Sequence, residues 1–187
     1  MTLLQPSLTW RRAAWLYDVA LVSGGSLLIA LAAQIAIPLP FSPVPITGQT
    51  LAVLLVGVLL GSRRGASSLL LYLAEGALGL PVFAGGRCGF LYLLGPTGGY
   101  LLGFVVAAFV TGWLAERGWD RRVRSNVPVM LLGNAIIYAL GLPWLAHFVG
   151  ATRVLALGFY PFIVGDLLKI TLASLSLPWA WKLSTKN

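Results

Sequence analysis

Long apolar runs, separated by short segments that carry charge, proline or glycine, dominate the chain from residue 19 onward. A helix needs about 17–25 mostly apolar residues to cross a bilayer, and six runs approach that length. The second and third runs are short, so we expect their ends to include Gly and Ser residues or the bilayer to be thinner there. The pattern predicts an all-α integral membrane protein, a single domain over residues 1–187. Its six transmembrane helices are predicted at residues 19–37, 46–60, 66–80, 98–115, 127–145 and 161–181.

Composition excludes a soluble enzyme. Of the 187 residues, 58% are hydrophobic and only 10% are charged, whereas a soluble domain needs about 25% charged residues to cover its surface. The formal net charge of +8 would indicate nucleic-acid binding in a soluble protein. Here the basic residues flank apolar runs, so we expect membrane lipid and no nucleic acid as a partner.

The distribution of the basic residues predicts the orientation of the chain. Cytoplasmic loops of membrane proteins are enriched in Lys and Arg, and ten of the 13 basic residues fall on one predicted side. Only Arg87 and Arg153 fall on the other side, and Lys169 lies inside the last span. Both termini are therefore predicted to be cytoplasmic. The ten residues are Arg11, Arg12, Arg63, Arg64, Arg117, Arg121, Arg122, Arg124, Lys182 and Lys186.

Two opposite charges lie inside the last predicted span. If Pro161 begins that helix, Asp166 lies about 7–8 Å along it and Lys169 about 12 Å. Three residues apart, they share one helix face. Charges at that depth are costly unless they meet a polar cavity or each other, so the pair is a candidate binding site. The alternative is an ion pair that only stabilises the bundle.

Two segments on the less basic side carry further candidates. The segment 38–45 holds four prolines and is predicted to be a stiff loop, either a plain connection or a lid over a cavity. Arg87 follows a pair of glycines, whose backbone can approach a ligand closely. Arg87 is the strong hydrogen-bond donor of its segment, and the alternative is that it faces lipid headgroups.

Small residues spaced four apart in the first span are candidates for close helix contact. Ala20 with Gly24, and Ser26 with Ala30, form such pairs. Small side chains let helix backbones approach closely in a membrane. We expect this face to bind another membrane subunit or to pack inside the bundle.

Several chemistries lack the residues they need. The sequence contains one cysteine and one histidine, so a disulfide or a metal site built from these residues is not expected. The phosphate-binding loop G-x-x-x-x-G-K-S/T is absent, so the chain is not expected to hydrolyse ATP by that route. We expect no enzyme activity and no cofactor.

Five motifs in order along the chain resemble those of one known family. They are Pro43-Val44-Pro45-Ile46-Thr47-x-Gln49-Thr50-Leu51, Leu60-Gly61-x-Arg63-Arg64-Gly65, Gly79-Leu80-Pro81-Val82-Phe83-x-Gly85-Gly86, Leu94-Gly95-Pro96-Thr97-Gly98-Gly99-Tyr100 and Gly165-Asp166-x-x-Lys169. This arrangement is similar to BioY, the biotin-specific substrate-binding (S) component of energy-coupling factor (ECF) transporters. The resemblance covers the chain from the first span to the last.

The resemblance implies a six-helix protein of the prokaryotic cell membrane that binds biotin from the outer face with high affinity. It implies ligand contacts from Arg87, Asp166 and Lys169. Some members carry a smaller polar residue in place of Arg87, and some carry a basic residue where Leu101 stands. The implied partners are a transmembrane coupling subunit and a pair of cytoplasmic ATP-binding subunits. The alternatives are an S component for another small vitamin and a structural or assembly subunit of the membrane.

Overall fold

The protein is predominantly helical, with one short β hairpin. The structure, a computed structural model, describes the backbone of residues 8–184 and the side chains of residues 14–175. The predicted basic residues at positions 11, 12, 182 and 186 therefore lie outside the described side chains. The elements in chain order are α1 (Leu8–Gln34), β1 (Ala36–Leu39), β2 (Ser42–Thr47), α2 (Gln49–Ala77), α3 (Phe90–Leu93), α4 (Gly98–Ala115), α5 (Val123–Val149), α6 (Val154–Gly158) and α7 (Ile163–Ser184), with short 3₁₀ turns at Ala84–Gly86 and Tyr160–Phe162.

Helix α2 reverses its direction at Gly61. In a straight helix, Gln49 and Tyr72 would lie about 34 Å apart, yet Gln49 Nε2 donates a hydrogen bond to the Tyr72 hydroxyl at 2.7 Å. Gly61 adopts φ 81° and ψ 176°, a conformation open essentially to glycine alone. The two halves touch so closely that a Cβ on Gly65 would lie 2.9 Å from the Cα of Gly57. The predicted break between residues 60 and 66 coincides with this reversal.

The count of six membrane crossings stays a prediction. Five helical segments of the described part are long and apolar enough to cross a membrane. One of them is α2, whose two halves on either side of Gly61 are counted as a single segment. The predicted cytoplasmic location of both termini also stays a prediction.

The proline-rich segment, predicted to be a stiff loop, forms a short antiparallel hairpin within the otherwise helical fold. Strand β1 pairs with β2 through Ala36 with Thr47 and Ile37 with Ile46, and the register shifts at Pro38. Each strand pairs on one side only. Prolines at alternate positions suit such strands, because proline has no N–H group and the N–H groups on the unpaired side have no strand to donate to. Helix α1 accordingly ends at Gln34 rather than at residue 37, and α2 begins at Gln49 rather than at residue 46.

Glycines bring α2 and α4 into close contact and form the centre of the core. A Cβ on Gly57 would lie 2.4 Å from Thr111 Oγ1, and a Cβ on Gly112 would lie 2.5 Å from the backbone of Gly61. Helix α1 packs on α2, while α5 packs on α4 and α7. Helix α4 has the predicted bounds, and α5 extends four residues beyond its predicted span at each end.

Glu116 fixes the end of the bundle at which α2 reverses. The backbone N–H and the hydroxyl of Ser62 both donate to Glu116 Oε1, at 2.7 and 2.8 Å. These two hydrogen bonds, aided by the nearby guanidinium groups of Arg117 and Arg63, hold the pKa of Glu116 below its ordinary value. At the same end, Arg64 pairs with Asp18 at 2.5 Å.

The small residues of α1 do not form one face. Ser26 is buried and donates to Glu75 Oε2 at 2.5 Å, and Ala30 is buried beside it. Ala20 and Gly24 are exposed, and a Cβ on Gly24 would meet nothing within 4 Å. The prediction of a common docking face is therefore corrected, because Ser26 and Ala30 pack inside the bundle.

Candidate functional site

A cavity opens between the β hairpin and helices α2, α4, α5 and α7. It lies at the end of the bundle opposite Gly61. Most of its lining is apolar or aromatic, and its charged groups are one carboxylate and one ammonium. The lining residues are Val44, Pro45, Thr47, Gln49, Thr50, Ala84, Tyr92, Thr97, Tyr100, Leu101, Phe104, Ile137, Tyr138, Phe162, Asp166 and Lys169.

The charged groups are the predicted pair, Asp166 and Lys169. Asp166 lies in the first turn of α7 and is only 6% exposed. Lys169 Nζ lies 3.4 Å from Asp166 Oδ1 and donates to Thr50 Oγ1 at 2.8 Å. The structure therefore brings both predicted residues together at the cavity, with side chains that face the same space.

Tyr138 and Thr50 hold this pair from two other helices. The Tyr138 hydroxyl of α5 donates a hydrogen bond to Asp166 Oδ2. The Thr50 hydroxyl at the start of α2 lies 3.5 Å from Asp166 Oδ1. Both carboxylate oxygens thus face polar partners, which reduces the cost of a buried charge. Neither residue was among the predicted site residues, although Thr50 belongs to the first of the five motifs.

Gln49 supplies a second polar group to the cavity wall. It is buried, accepts a hydrogen bond from Thr47 Oγ1 at 3.2 Å, and donates to the Tyr72 hydroxyl at 2.7 Å. Gln49 and Thr47 were not among the predicted site residues. Both line the cavity, and the signal that could have identified them is the first motif, in which Thr47 ends the hairpin and Gln49 begins α2.

Aromatic side chains form much of the remaining wall. Tyr138 meets Tyr100 edge to face, with ring centroids 6.3 Å apart, and meets Phe159 at 4.9 Å. The Tyr100 hydroxyl donates to the carbonyl of Gly158 at 2.9 Å. This bond fixes the ring and leaves its apolar face for the cavity. A polar end and an apolar body are typical of sites for amphipathic small molecules.

Arg87 does not line the cavity that Asp166 and Lys169 line. It is exposed and follows the 3₁₀ turn Ala84–Gly86, where Gly85 and Gly86 adopt positive φ. Its carbonyl accepts from the N–H of Phe83 at 2.9 Å. Ala84 lines the cavity and Arg87 does not. A ligand contact from Arg87 stays a prediction.

The described side chains contain no group of three or more His, Cys, Asp and Glu residues that could hold a metal ion. The chemistry of the site is that of hydrogen bonding and charge. The described part of the chain is a helical integral membrane protein, with an internal cavity suited to a small amphipathic molecule.

Comparisons with known proteins agree with this class. Residues 5–186 match the sequence profile of the BioY family, and the chain belongs to that family. It is 42% identical over 156 residues to the probable biotin transporter BioY of Pyrococcus horikoshii, covering 83% of this chain and 91% of that one. It is 44% identical over 168 residues to the biotin transporter BioY of Rhodobacter capsulatus, covering 80% and 85%.

A solved structure shares the fold. It is a crystal structure at 2.1 Å of the S-component for biotin from an ECF-type ABC transporter, with a TM-score of 0.82 and 24% identity over 95% of each chain. This likeness confirms the predicted helical membrane fold. Family membership confirms the predicted resemblance, the membrane location and the prediction that the chain is not an enzyme.

Proposed function

We propose that this protein binds biotin and acts as the substrate-binding component of an ECF-type uptake transporter. The names of its relatives support biotin as the ligand. The observation that carries the proposal is the pair Asp166 and Lys169, placed together at an otherwise largely apolar cavity and held by Tyr138 and Thr50.

The polar end of the cavity suits the ureido ring of biotin. That ring offers two N–H donors and a strongly accepting carbonyl. Asp166 provides carboxylate oxygens as acceptors, and Lys169 provides an ammonium donor 3.4 Å away. Hydrogen bonds to charged groups are about twice as strong as those between neutral groups. A neighbouring acceptor and donor therefore match a ligand that presents both on one ring.

The apolar walls suit the thiophane ring and the alkyl chain. Tyr100, Phe104 and Phe162 line the cavity, and burial of apolar surface contributes about 25 cal/mol per Å². The carboxylate at the far end of biotin needs water or a cation. Arg87 lies three residues after Ala84 of the cavity wall and is exposed. We assign to Arg87 the ligand carboxylate at the mouth.

Energy for transport comes from other subunits in this proposal. The sequence lacks the phosphate-binding loop of common ATPases, so a membrane coupling subunit and two ATP-binding subunits supply the energy. We assign the coupling contact to the exposed residues Ala20 and Gly24. Gly24→Trp should abolish co-purification with the coupling subunit and leave biotin affinity unchanged, because the position is open. Retained co-purification would exclude this face.

Ligand identification tests the proposal directly. Mass spectrometry of the protein purified in detergent should detect co-purified biotin, and calorimetry in nucleotide-free buffer should show tight biotin binding. A different vitamin in the mass spectrum would assign another substrate. Biotin binding that requires ATP would contradict the role of a separate substrate-binding component.

A further inference from the structure

A second pocket lies far from the cavity, in the connection between α4 and α5. Three of its residues are arginines, and none is acidic. Arg121 also interacts within the chain, so Arg117 and Arg122 are the guanidinium groups that can attract an anion here. The pocket is lined by Arg117, Gly118, Trp119, Arg121, Arg122 and Ser125.

Both acidic residues of this segment have partners within the chain. Glu116 accepts both hydrogen bonds from Ser62. Asp120 is only 2% exposed and interacts within the chain. Neither lines the pocket. Their carboxylates are therefore not part of the pocket lining.

The backbone and a tryptophan hold Arg117 in place. Its guanidinium donates to the carbonyl of Trp113 at 2.8 Å and lies over the Trp113 ring at 3.4 Å. Gly118 then adopts φ 83°, a left-handed conformation that turns the chain, and Arg122 lines the same pocket as Arg117. A guanidinium fixed before binding loses less side-chain entropy when an anion arrives.

Two exposed tryptophans accompany this pocket. Trp119 lines it and is 46% exposed, and Trp113, whose ring Arg117 covers, is 43% exposed. Indole rings prefer the interface between the membrane and water. This setting, between two helices that are apolar enough to cross a membrane, favours a lipid headgroup as the anion.

We propose that this pocket binds the phosphate of an anionic phospholipid headgroup. Arg117 and Arg122 contact the phosphate oxygens, since the guanidinium fork matches phosphate geometry. The lipid acyl chains then cover the neighbouring apolar surface of the bundle. This site is separate from the cavity and does not depend on biotin as the ligand.

Native mass spectrometry of the full chain in detergent measures its affinity for phospholipids. Phosphatidylglycerol is titrated against the parent and against Arg117→Gln with Arg122→Gln. Each arginine near an anionic lipid contributes about threefold to fivefold in affinity, so the double variant should bind roughly tenfold to 25-fold more weakly. The matched control is Arg63→Gln with Arg124→Gln, which removes the same charge from exposed positions at the same end but outside the pocket.

The proposal holds if the parent prefers phosphatidylglycerol to phosphatidylcholine and only the pocket variant loses this preference. Equal losses in both double variants would indicate diffuse charge and overturn it. So would displacement of the lipid by inorganic phosphate at similar concentration, which indicates a site for free phosphate. Displacement by a lower concentration of an acidic peptide would assign the pocket to a protein partner instead.

A folding control keeps the test decisive. Melting temperatures show whether both double variants stay folded, because Arg117 donates to the Trp113 carbonyl and Arg63 lies near Glu116. Should the pocket variant unfold, Arg122→Gln alone replaces it, with an expected threefold to fivefold loss. Unchanged lipid affinity in that single variant would overturn the proposal.

Discussion

Replacing Asp166 by asparagine tests the proposed site most directly. The substitution keeps the size of the side chain and removes its charge. In the parent, Tyr138 donates to one carboxylate oxygen, and Lys169 lies 3.4 Å from the other. Asparagine has only one acceptor oxygen, so its amide N–H₂ must face one of these donors.

The loss of one hydrogen bond to a charged group gives the expected change in biotin affinity. A hydrogen bond to a charged group contributes about 1.5–3 kcal/mol, which corresponds to about a 10- to 150-fold change in affinity. Asp166→Asn should weaken biotin binding by that factor. Lys169→Met should weaken it similarly, because the ammonium donor is lost and Asp166 remains buried without a countercharge.

Calorimetry in detergent measures both affinities. The matched control is Glu75→Gln, which neutralises another carboxylate within a membrane helix. Glu75 accepts from Ser26 at 2.5 Å and does not line the cavity. Biotin affinity should therefore be unchanged in this variant. An equal loss there would mean that any buried charge affects binding through the fold.

The double variant separates a binding pair from a structural pair. If Asp166 and Lys169 only stabilise the bundle, the two single substitutions destabilise it and the combination partly restores the melting temperature. If they contact biotin, the double variant remains a weak binder even when it is stable. A stable double variant with parental affinity would refute the site.

Three further predictions concern the reversal and the support of Asp166. Gly61→Ala puts a Cβ at positive φ and 2.7 Å from Glu116 Oε1. The free energy of unfolding should therefore fall by about 1–3 kcal/mol. An unchanged melting curve would contradict the reversal of α2 at Gly61. Glu116→Gln should be less stable than the parent above the ordinary glutamate pKa. Because the pKa of Glu116 is lowered in the fold, this difference should vanish as the pH falls through the lowered value, and a difference that persists in acid would argue against the Ser62 bonds. Tyr138→Phe keeps the ring but loses the donor to Asp166, so calorimetry should show biotin affinity reduced about twofold to tenfold; parental affinity would show that the hydroxyl does not support the site.

Features of the chain that depend on local spacing were predictable from sequence. Asp166 and Lys169 share a helix face because they are three residues apart. The break between residues 60 and 66 was visible as a charged, glycine-rich interruption of two apolar runs. Tyr138 and Thr50 were not predictable as partners of Asp166, since 28 and 116 residues separate them from it. Their contact depends on how α2, α5 and α7 pack.

The small residues of α1 show a different limit. At 3.6 residues per turn, Ala20 and Gly24 lie about 40° apart around the helix, whereas Ala20 and Ser26 lie about 120° apart. The first pair can share a face, and Ser26 with Ala30 must form another. Spacing alone separates the two faces, but only the packing of α1 on α2 shows that the second is internal.

The pairing of Asp166 with Lys169 also has an electrical consequence. The opposite charges of the two side chains cancel, so the pair carries no net charge. A membrane potential does about 2.3 kcal/mol of work per elementary charge per 100 mV. Any displacement of this pair along the membrane normal is therefore nearly electroneutral. The potential then acts on the charge of the bound solute, and hardly at all on the groups that hold it.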